Sequence, residues 1–387
     1  MHPIQTFPPI SSKLPHAGTT IFTVMSELAN QHSAINLSQG FPDFNCSEKL
    51  ISLVNKYMLM GKNQYAPMQG LLPLREKIAV KTNELYGATY NPADEITITA
   101  GGTQALYTAI TAVVHKGDEV IVLEPAYDSY IPAIQLSGGI PVYVGLKPPL
   151  YKIDWEQVQR VITSNTKLII LNSPHNPTGT VFSKEDIFQL IKITENKNIF
   201  ILSDEVYEHI IFDNHPHESV CKYPELRARS FVVFSFGKTY HTTGWKIGYC
   251  LAPKELTVEF RKVHQFITFC TNTPIQWALN DFIEEKNNYL CLHKFYEEKR
   301  DLFVKLINDS KFKFIPAKGT YFQLLSFDGL TDEKDTDFAM RITKDYGVAS
   351  VPVSVFYHDK ADYKMLRFCF AKEAVTLEKA AERIRGI

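Results

Sequence analysis

Between residues 96 and 253 the chain alternates short, almost continuously apolar runs with longer stretches of helical spacing. The runs are ITITA (96–100), EVIVLEP (119–125), PVYVGL (141–146), KLIILNSP (167–174), IFILSDE (199–205), FVVFSFGK (231–238) and IGYCLAP (247–253). Runs of this length without polar alternation predict strands buried on both faces. Between them, Thr103–His115 and Ser183–Glu195 have helical length and periodicity. Ser183 followed by Asp186 predicts a helix start, with a capping hydroxyl and an acidic residue in the first turn. The alternation predicts an α/β fold: a seven-stranded, mostly parallel sheet sandwiched by helices. Only eight residues separate the last two runs, too few for a crossover helix, so that pair is predicted antiparallel.

Beyond Pro253 a long helical tract is predicted over Glu255–Glu285, followed by the charged stretch Glu297–Lys305. A second α/β segment then carries YFQLLSF (321–327), GVASVPVS (347–354) and KMLRFCFA (364–371). The expected division is a large domain over 46–285 and a small C-terminal domain over 286–387. Residues 1–45 supply an N-terminal arm and part of the small domain. The opening MHPIQTFPPISSKLPHAGTT is proline-rich, with neither a basic leader nor an apolar core, and reads as an extended arm.

Composition narrows the partners. Forty-one Lys and Arg nearly cancel 42 Asp and Glu, a net charge of −1, which removes any bulk attraction to nucleic acid or an anionic membrane. No apolar run approaches the roughly 20 residues of a membrane helix. Six cysteines without a CxxC pair predict free, buried thiols in a reducing compartment, hence cytoplasmic residence, and no metal site is expected.

In an open α/β sheet, ligands bind beyond the carboxyl ends of the strands. The unusual polar residues fall at those ends: Asn176 after KLIILNSP, Asp204 in IFILSD, Ser235 and Lys238 after FVVF, and Gly101-Gly102-Thr103 after ITITA. A lone lysine is ordinarily a solvated charge. Lys238, however, ends an apolar strand and has a second lysine, Lys246, close by in sequence. A buried amine beside another cation loses proton affinity and becomes a nucleophile able to form an imine. Arg367, in the strand-like KMLRFCF, is costly among apolar neighbours unless it binds an anion. Its planar fork suits a carboxylate.

The block SFGKT followed by KIG, together with NSPHNPTG (172–179) and SDEVY (203–207), resembles the signature of class I/II pyridoxal-phosphate-dependent aminotransferases. The resemblance runs from QGFPD (39–43) to RFCFA (367–371), nearly the whole chain. TTIF (19–22), NLSQGFPD (36–43) and NQYAP (63–67) are similar to the methionine and kynurenine aminotransferases, also called glutamine transaminase K-like. It implies the fold type I architecture of these enzymes and pyridoxal 5′-phosphate as cofactor, with Lys238 joined to it covalently.

The roles implied are these. Asp204 faces the pyridine nitrogen and keeps it charged, making the ring an electron sink; taken alone it reads as a helix N-cap, since EVYE follows. Tyr207 and Asn176 bond the 3′-oxygen. Gly102 and Thr103, at a strand-to-helix turn, cradle the phosphate with Ser235 and Lys246. Lys246 departs from the arginine usual in the broad class, and the methionine/kynurenine subgroup resembles this chain in having lysine. Tyr127 stacks on the ring, and Tyr65 reaches the phosphate from the neighbouring subunit of a homodimer with shared active sites. Arg367 takes the substrate carboxylate, with Gly40 and Asn176 adding contacts. Ile21, Phe22, Tyr65 and Tyr127 line an apolar side-chain pocket.

The implied reaction moves an amino group from an amino acid to a 2-oxo acid, with Lys238 shuttling the proton. No second arginine for a distal carboxylate is identifiable. Methionine is therefore expected first, then aromatic amino acids, glutamine and kynurenine. The alternatives are a cysteine-S-conjugate β-lyase and an enzyme like aminocyclopropane carboxylate synthase. Aminotransferase-like modules also occur in transcription regulators, but the forty residues ahead of the resemblance are too few for a DNA-binding domain.

Overall fold

The protein is described here from a computed structural model, which covers residues 10–15 and 17–387. The first nine residues of the expected arm, and His16, lie outside the described residues. All seven apolar runs form strands: β1 Ile96–Thr99, β2 Glu119–Glu124, β3 Ile140–Gly145, β4 Thr166–Asn172, β5 Phe200–Asp204, β6 Ser230–Ser235 and β7 Gly248–Leu251. They make one sheet in the order β1-β7-β6-β5-β4-β2-β3. The central strands are buried almost throughout, which is why their runs lack polar alternation.

Strand β7 is inserted between β1 and β6 and runs antiparallel to both, as its short connection requires. Its first residue, Gly248, therefore pairs with the last residues of its neighbours, Thr99 and Ser235. The start of β7 thus joins the carboxyl ends of the other strands at one edge. A side chain at 248 would not fit, because its Cβ would lie 2.6 Å from the Phe234 carbonyl and 3.0 Å from the backbone of Gly101 and Gly102.

The two helices expected between strands form over Gly101–Val113 and Lys184–Thr194. Ser183 accepts from the Asp186 amide at 3.2 Å while Asp186 accepts from the Ser183 amide at 2.8 Å, a reciprocal capping box. The tract Glu255–Glu285 is not one helix. It is two, Lys254–Ile267 and Thr273–Phe282. The second begins afresh because Asn272 accepts from the Ile275 amide at 3.1 Å and Pro274 occupies the first turn, where its missing N–H costs nothing.

In the C-terminal segment, β8 Phe322–Ser326, β9 Val351–Pro352 and β10 Met365–Cys369 form an antiparallel sheet in the order β9-β10-β8. GVASVPVS is broken: Val348–Ala349 pairs instead with Ile35–Asn36, and Val353–Phe356 turns into a 3₁₀ helix. Met25 and Ala29, from the helix Ile21–Gln31, share a core with Phe303, Phe338, Phe368 and Leu377 of this segment. All six cysteines are free, but only Cys221, Cys250 and Cys369 are buried, and Cys291 is exposed, so the expectation of buried thiols holds for half of them. Among the described residues no helix is long and apolar enough to cross a membrane.

Candidate active site

The strand ends and the start of β7 surround a cavity of ≈ 160 Å³ lined by Gly101, Gly102, Thr103, Tyr127, Asn172, Asn176, Asp204, Tyr207, Ser235, Lys238 and Lys246, among others. Ten of the residues singled out in the sequence thus meet in one place: Gly101, Gly102, Thr103, Tyr127, Asn176, Asp204, Tyr207, Ser235, Lys238 and Lys246. The parallel strands bring Asp204 and Lys238 there from adjacent carboxyl ends, and the reversal at β7 brings Lys246.

Lys238 sits in the helical turn Phe236–Thr239 that follows β6. Its Nζ donates to the Tyr321 hydroxyl at 2.7 Å and to the Gly40 carbonyl at 3.2 Å. It also lies 5.4 and 5.3 Å from the ring centroids of Tyr207 and Tyr321. Burial lowers the lysine to about 8; the nearby Cys369 opposes this, while the positive charges of Arg367 and Lys246 reinforce it.

Asp204 ends β5 and no helix follows it, so the N-cap reading is excluded. Its Oδ2 accepts from the Tyr130 hydroxyl at 2.7 Å, and Oδ1 has only a long contact, 3.4 Å, from the Val206 amide. Burial raises this carboxyl to about 6, against the pull of the Tyr130 and Val206 hydrogen bonds and of Lys238. Tyr207 is buried, its ring edge-on to Tyr321 at 5.1 Å. Asn172 links the wall together, donating to the Asp204 carbonyl at 2.9 Å and accepting from the Asn176 amide at 2.8 Å.

At the other end, the helix Gly101–Val113 opens with no side-chain cap. Gly101 has φ +79°, a left-handed conformation, and a Cβ there would lie 3.4 Å from Lys246 Nζ. Glycine is what lets the lysine lie over the helix start. The combination of free N–H donors, helix dipole and ammonium is an anion site. Thr103 and Tyr127 pair their hydroxyls at 3.2 Å.

Arg367 is buried on β10, only 1% exposed. Nη1 donates to Asn176 Oδ1 at 2.8 Å and Nη2 to the Ser38 carbonyl at 3.0 Å, while Nε has no partner among the described residues. Its guanidinium lies 3.9 Å from the Phe322 ring centroid, with Phe22 at 5.2 Å and Phe356 at 5.4 Å. A buried guanidinium without a carboxylate partner, with an N–H unsatisfied, is set to receive an anion. Gly40 is brought here as well, but through its carbonyl, which faces Lys238 and Tyr321. Ile21 is half-buried and packs against the cores instead of lining the cavity. Tyr65 is 81% exposed and packs edge-on to Phe269, so it does not line the cavity of its own chain.

Sequence reasoning missed Tyr130, Asn172, Tyr321, Phe322 and Phe356. Asn172 carried a signal, since it opens the NSPHNPTG motif that holds Asn176, and Tyr130 lies only three residues beyond Tyr127. The other three became site residues only when the C-terminal segment folded over the sheet.

The family model for aminotransferase class I and II matches residues 32–384. The chain is 50% identical over 377 residues to the methionine aminotransferase of Escherichia coli, covering 97% of this chain and 98% of that protein. It is 32% identical over 397 residues to human kynurenine–oxoglutarate transaminase 1, covering 93% of each. A solved Escherichia coli structure with a methionine aminotransferase function matches with a TM-score of 0.96 at 50% identity, covering 98% of this chain and 100% of that one. The N-succinyldiaminopimelate aminotransferase of Mycobacterium tuberculosis matches with a TM-score of 0.94 at 33% identity, covering 98% and 100%.

Proposed function

We propose that this chain, which belongs to the class I and II aminotransferases, works with pyridoxal 5′-phosphate joined to Lys238. Its amino donors are methionine first, then aromatic amino acids, glutamine and kynurenine, and a 2-oxo acid is the acceptor. One observation carries the cofactor reading. An amine lowered to about 8, a buried carboxylate, and a helix start with a lysine over it all line a single cavity. The residues present therefore fit an aldehyde, a ring nitrogen and a phosphate.

Lys246, Ser235, Gly102 and Thr103 would hold the phosphate, Asp204 the ring nitrogen, Asn176 and Tyr207 the 3′-oxygen, and Tyr127 the ring face. Bound there, the cofactor supplies an aldehyde that condenses with amines and a ring that accepts the electron pair released at the substrate α-carbon. Arg367 orients the substrate by its carboxylate, seconded by Asn176. Lys238, with its amine free, would take the substrate α-proton on Nζ and would hold it for return within the site. Its lowered proton affinity suits both tasks at neutral pH. Because donor and acceptor use the same site in turn, kinetics are ping-pong.

The preference for neutral, bulky side chains is supported by Phe22 and Phe356, whose rings lie 6.0 Å apart beside Arg367, and by the Escherichia coli relative. The dimer is part of this reading, supported by the exposed Tyr65, Phe266 and Phe269. So are the division into 46–285 and 286–387 with 1–45, and cytoplasmic residence. The test incubates the protein with pyridoxal 5′-phosphate and runs a panel of amino donors against a fixed 2-oxo acid. A visible band of bound cofactor and faster turnover of methionine than of aspartate are expected. A colourless protein, or faster aspartate turnover, overturns the reading. Pyruvate, ammonia and thiol as main products from a cysteine conjugate would decide for the lyase.

A further inference from the structure

Asp204 has one side-chain hydrogen-bond partner among the described residues, Tyr130. The contact is short, 2.7 Å, and goes to Oδ2, leaving Oδ1 with only the long Val206 contact. Tyr130 is 2% exposed, and its ring also packs edge-on against Tyr127, at 5.7 Å and 79°. One side chain thus touches both the acid and the aromatic wall of the cavity, though Tyr130 itself does not line it.

We propose that Tyr130 is a positioning residue of the reaction: its hydroxyl holds the Asp204 carboxylate ionised and turned into the cavity. The inference rests on the proposed function, which puts the pyridine nitrogen against that carboxylate. Burial drives Asp204 toward its neutral form, and a neutral acid cannot keep the ring nitrogen charged. Two side chains oppose this, Tyr130 and Lys238. Lys238 gives up its free ammonium when it joins the cofactor, whereas Tyr130 keeps its O–H throughout the cycle. A hydroxyl has one proton to give, so Oδ2 is occupied and Oδ1 stays available.

Tyr130→Phe removes only the hydroxyl and preserves the ring contact with Tyr127. Tyr57→Phe is the matched control: Tyr57 likewise donates to a carboxylate, Asp281 at 2.6 Å, away from the cavity. The full-length apoprotein of wild type and both variants is titrated with pyridoxal 5′-phosphate, following the visible band, and melted in parallel. Turnover with methionine is then measured at saturating cofactor. Tyr130→Phe is expected to raise the cofactor Kd by about ten- to one-hundredfold, the range for a hydrogen bond to a charged group. It also lowers kcat by about tenfold while the KM for methionine stays within about threefold. Tyr57→Phe lowers the melting temperature without either change. Cofactor binding and kcat within about twofold of wild type in Tyr130→Phe would overturn the proposal, as would equal losses in both variants. If no visible band forms in any protein, wild type included, the proposed function itself fails and takes this inference with it.

Discussion

Arg367 separates function from stability. Among the described residues the buried guanidinium has two hydrogen bonds to neutral oxygens, an orphaned Nε and no carboxylate partner, and burial lowers it to about 10 from an ordinary value near 12.5. That difference corresponds to about 3 kcal/mol of cost in folding the cation at neutral pH. The depressed value disfavours the charged form in the fold, so the cost is full below pH 10 and fades above it. Arg367→Met keeps the length and removes the charge, but strands the Asn176 and Ser38 oxygens at about 1–3 kcal/mol. With two oxygens stranded at that cost each, the balance for the apoprotein lies between a gain of about 1 kcal/mol and a loss of about 3 kcal/mol. The substrate carboxylate meanwhile loses two charge-assisted bonds of about 1.5–3 kcal/mol each, so kcat/KM for methionine should fall by about 10²- to 10⁴-fold. Urea unfolding of the apoprotein and steady-state kinetics of the holoenzyme measure the two sides. A kcat/KM within about tenfold of wild type would refute the carboxylate role, and a stability loss above about 3 kcal/mol would make the arginine structural instead.

Lys238→Ala should still bind the cofactor while turnover falls by about 10⁴-fold, as read by absorbance and single-turnover kinetics; a variant at wild-type rate excludes Lys238 as the base. Because the free amine is lowered to about 8, it is a cation below that pH and neutral above it. The rate of cofactor uptake should therefore climb about tenfold per unit from pH 6 and level off near 8, and a break near 10 would contradict the burial argument. Lys81 and Glu208 are a buried ion pair, and the same lysine donates to the Tyr249 hydroxyl at 3.1 Å. Lys81→Met should cost about 3–5 kcal/mol in urea unfolding by leaving Glu208 uncompensated, and adding Glu208→Gln should recover most of it.

Six of the seven strands were legible because they are buried almost throughout, and a continuous apolar run records that directly; the edge strand β3 is only partly buried. Strand order was not. The insertion of β7 between β1 and β6 depends on pairings between residues some 150 apart, such as Thr99 with Gly248, which no local pattern encodes. The tract 255–285 is helical as expected, but the break inside it was not legible, because it uses Asn272 and Pro274, and a proline in the first turn starts a helix as readily as it stops one. Residues at strand ends, Asp204 and Lys238 above all, could be placed from sequence because the sheet fixes where strand ends go. Tyr321, 83 residues from Lys238, and Phe356 could not, since only tertiary packing makes them neighbours.

The same burial that made the strands readable also sets the chemistry at their ends. It pushes Lys238 down and Asp204 up, so both groups are driven toward neutrality. For the lysine that is what catalysis needs, since a neutral amine is the nucleophile and the base. For the acid it is the opposite of what is needed, because Asp204 must remain an anion against the ring nitrogen. An unmodified apolar edge could therefore supply the amine but not the acid. Correcting one without the other requires a donor that reaches Asp204 and leaves Lys238 alone. Tyr130 meets that condition: it bonds to Asp204, whereas the bonds of Lys238 Nζ go to Tyr321 and Gly40.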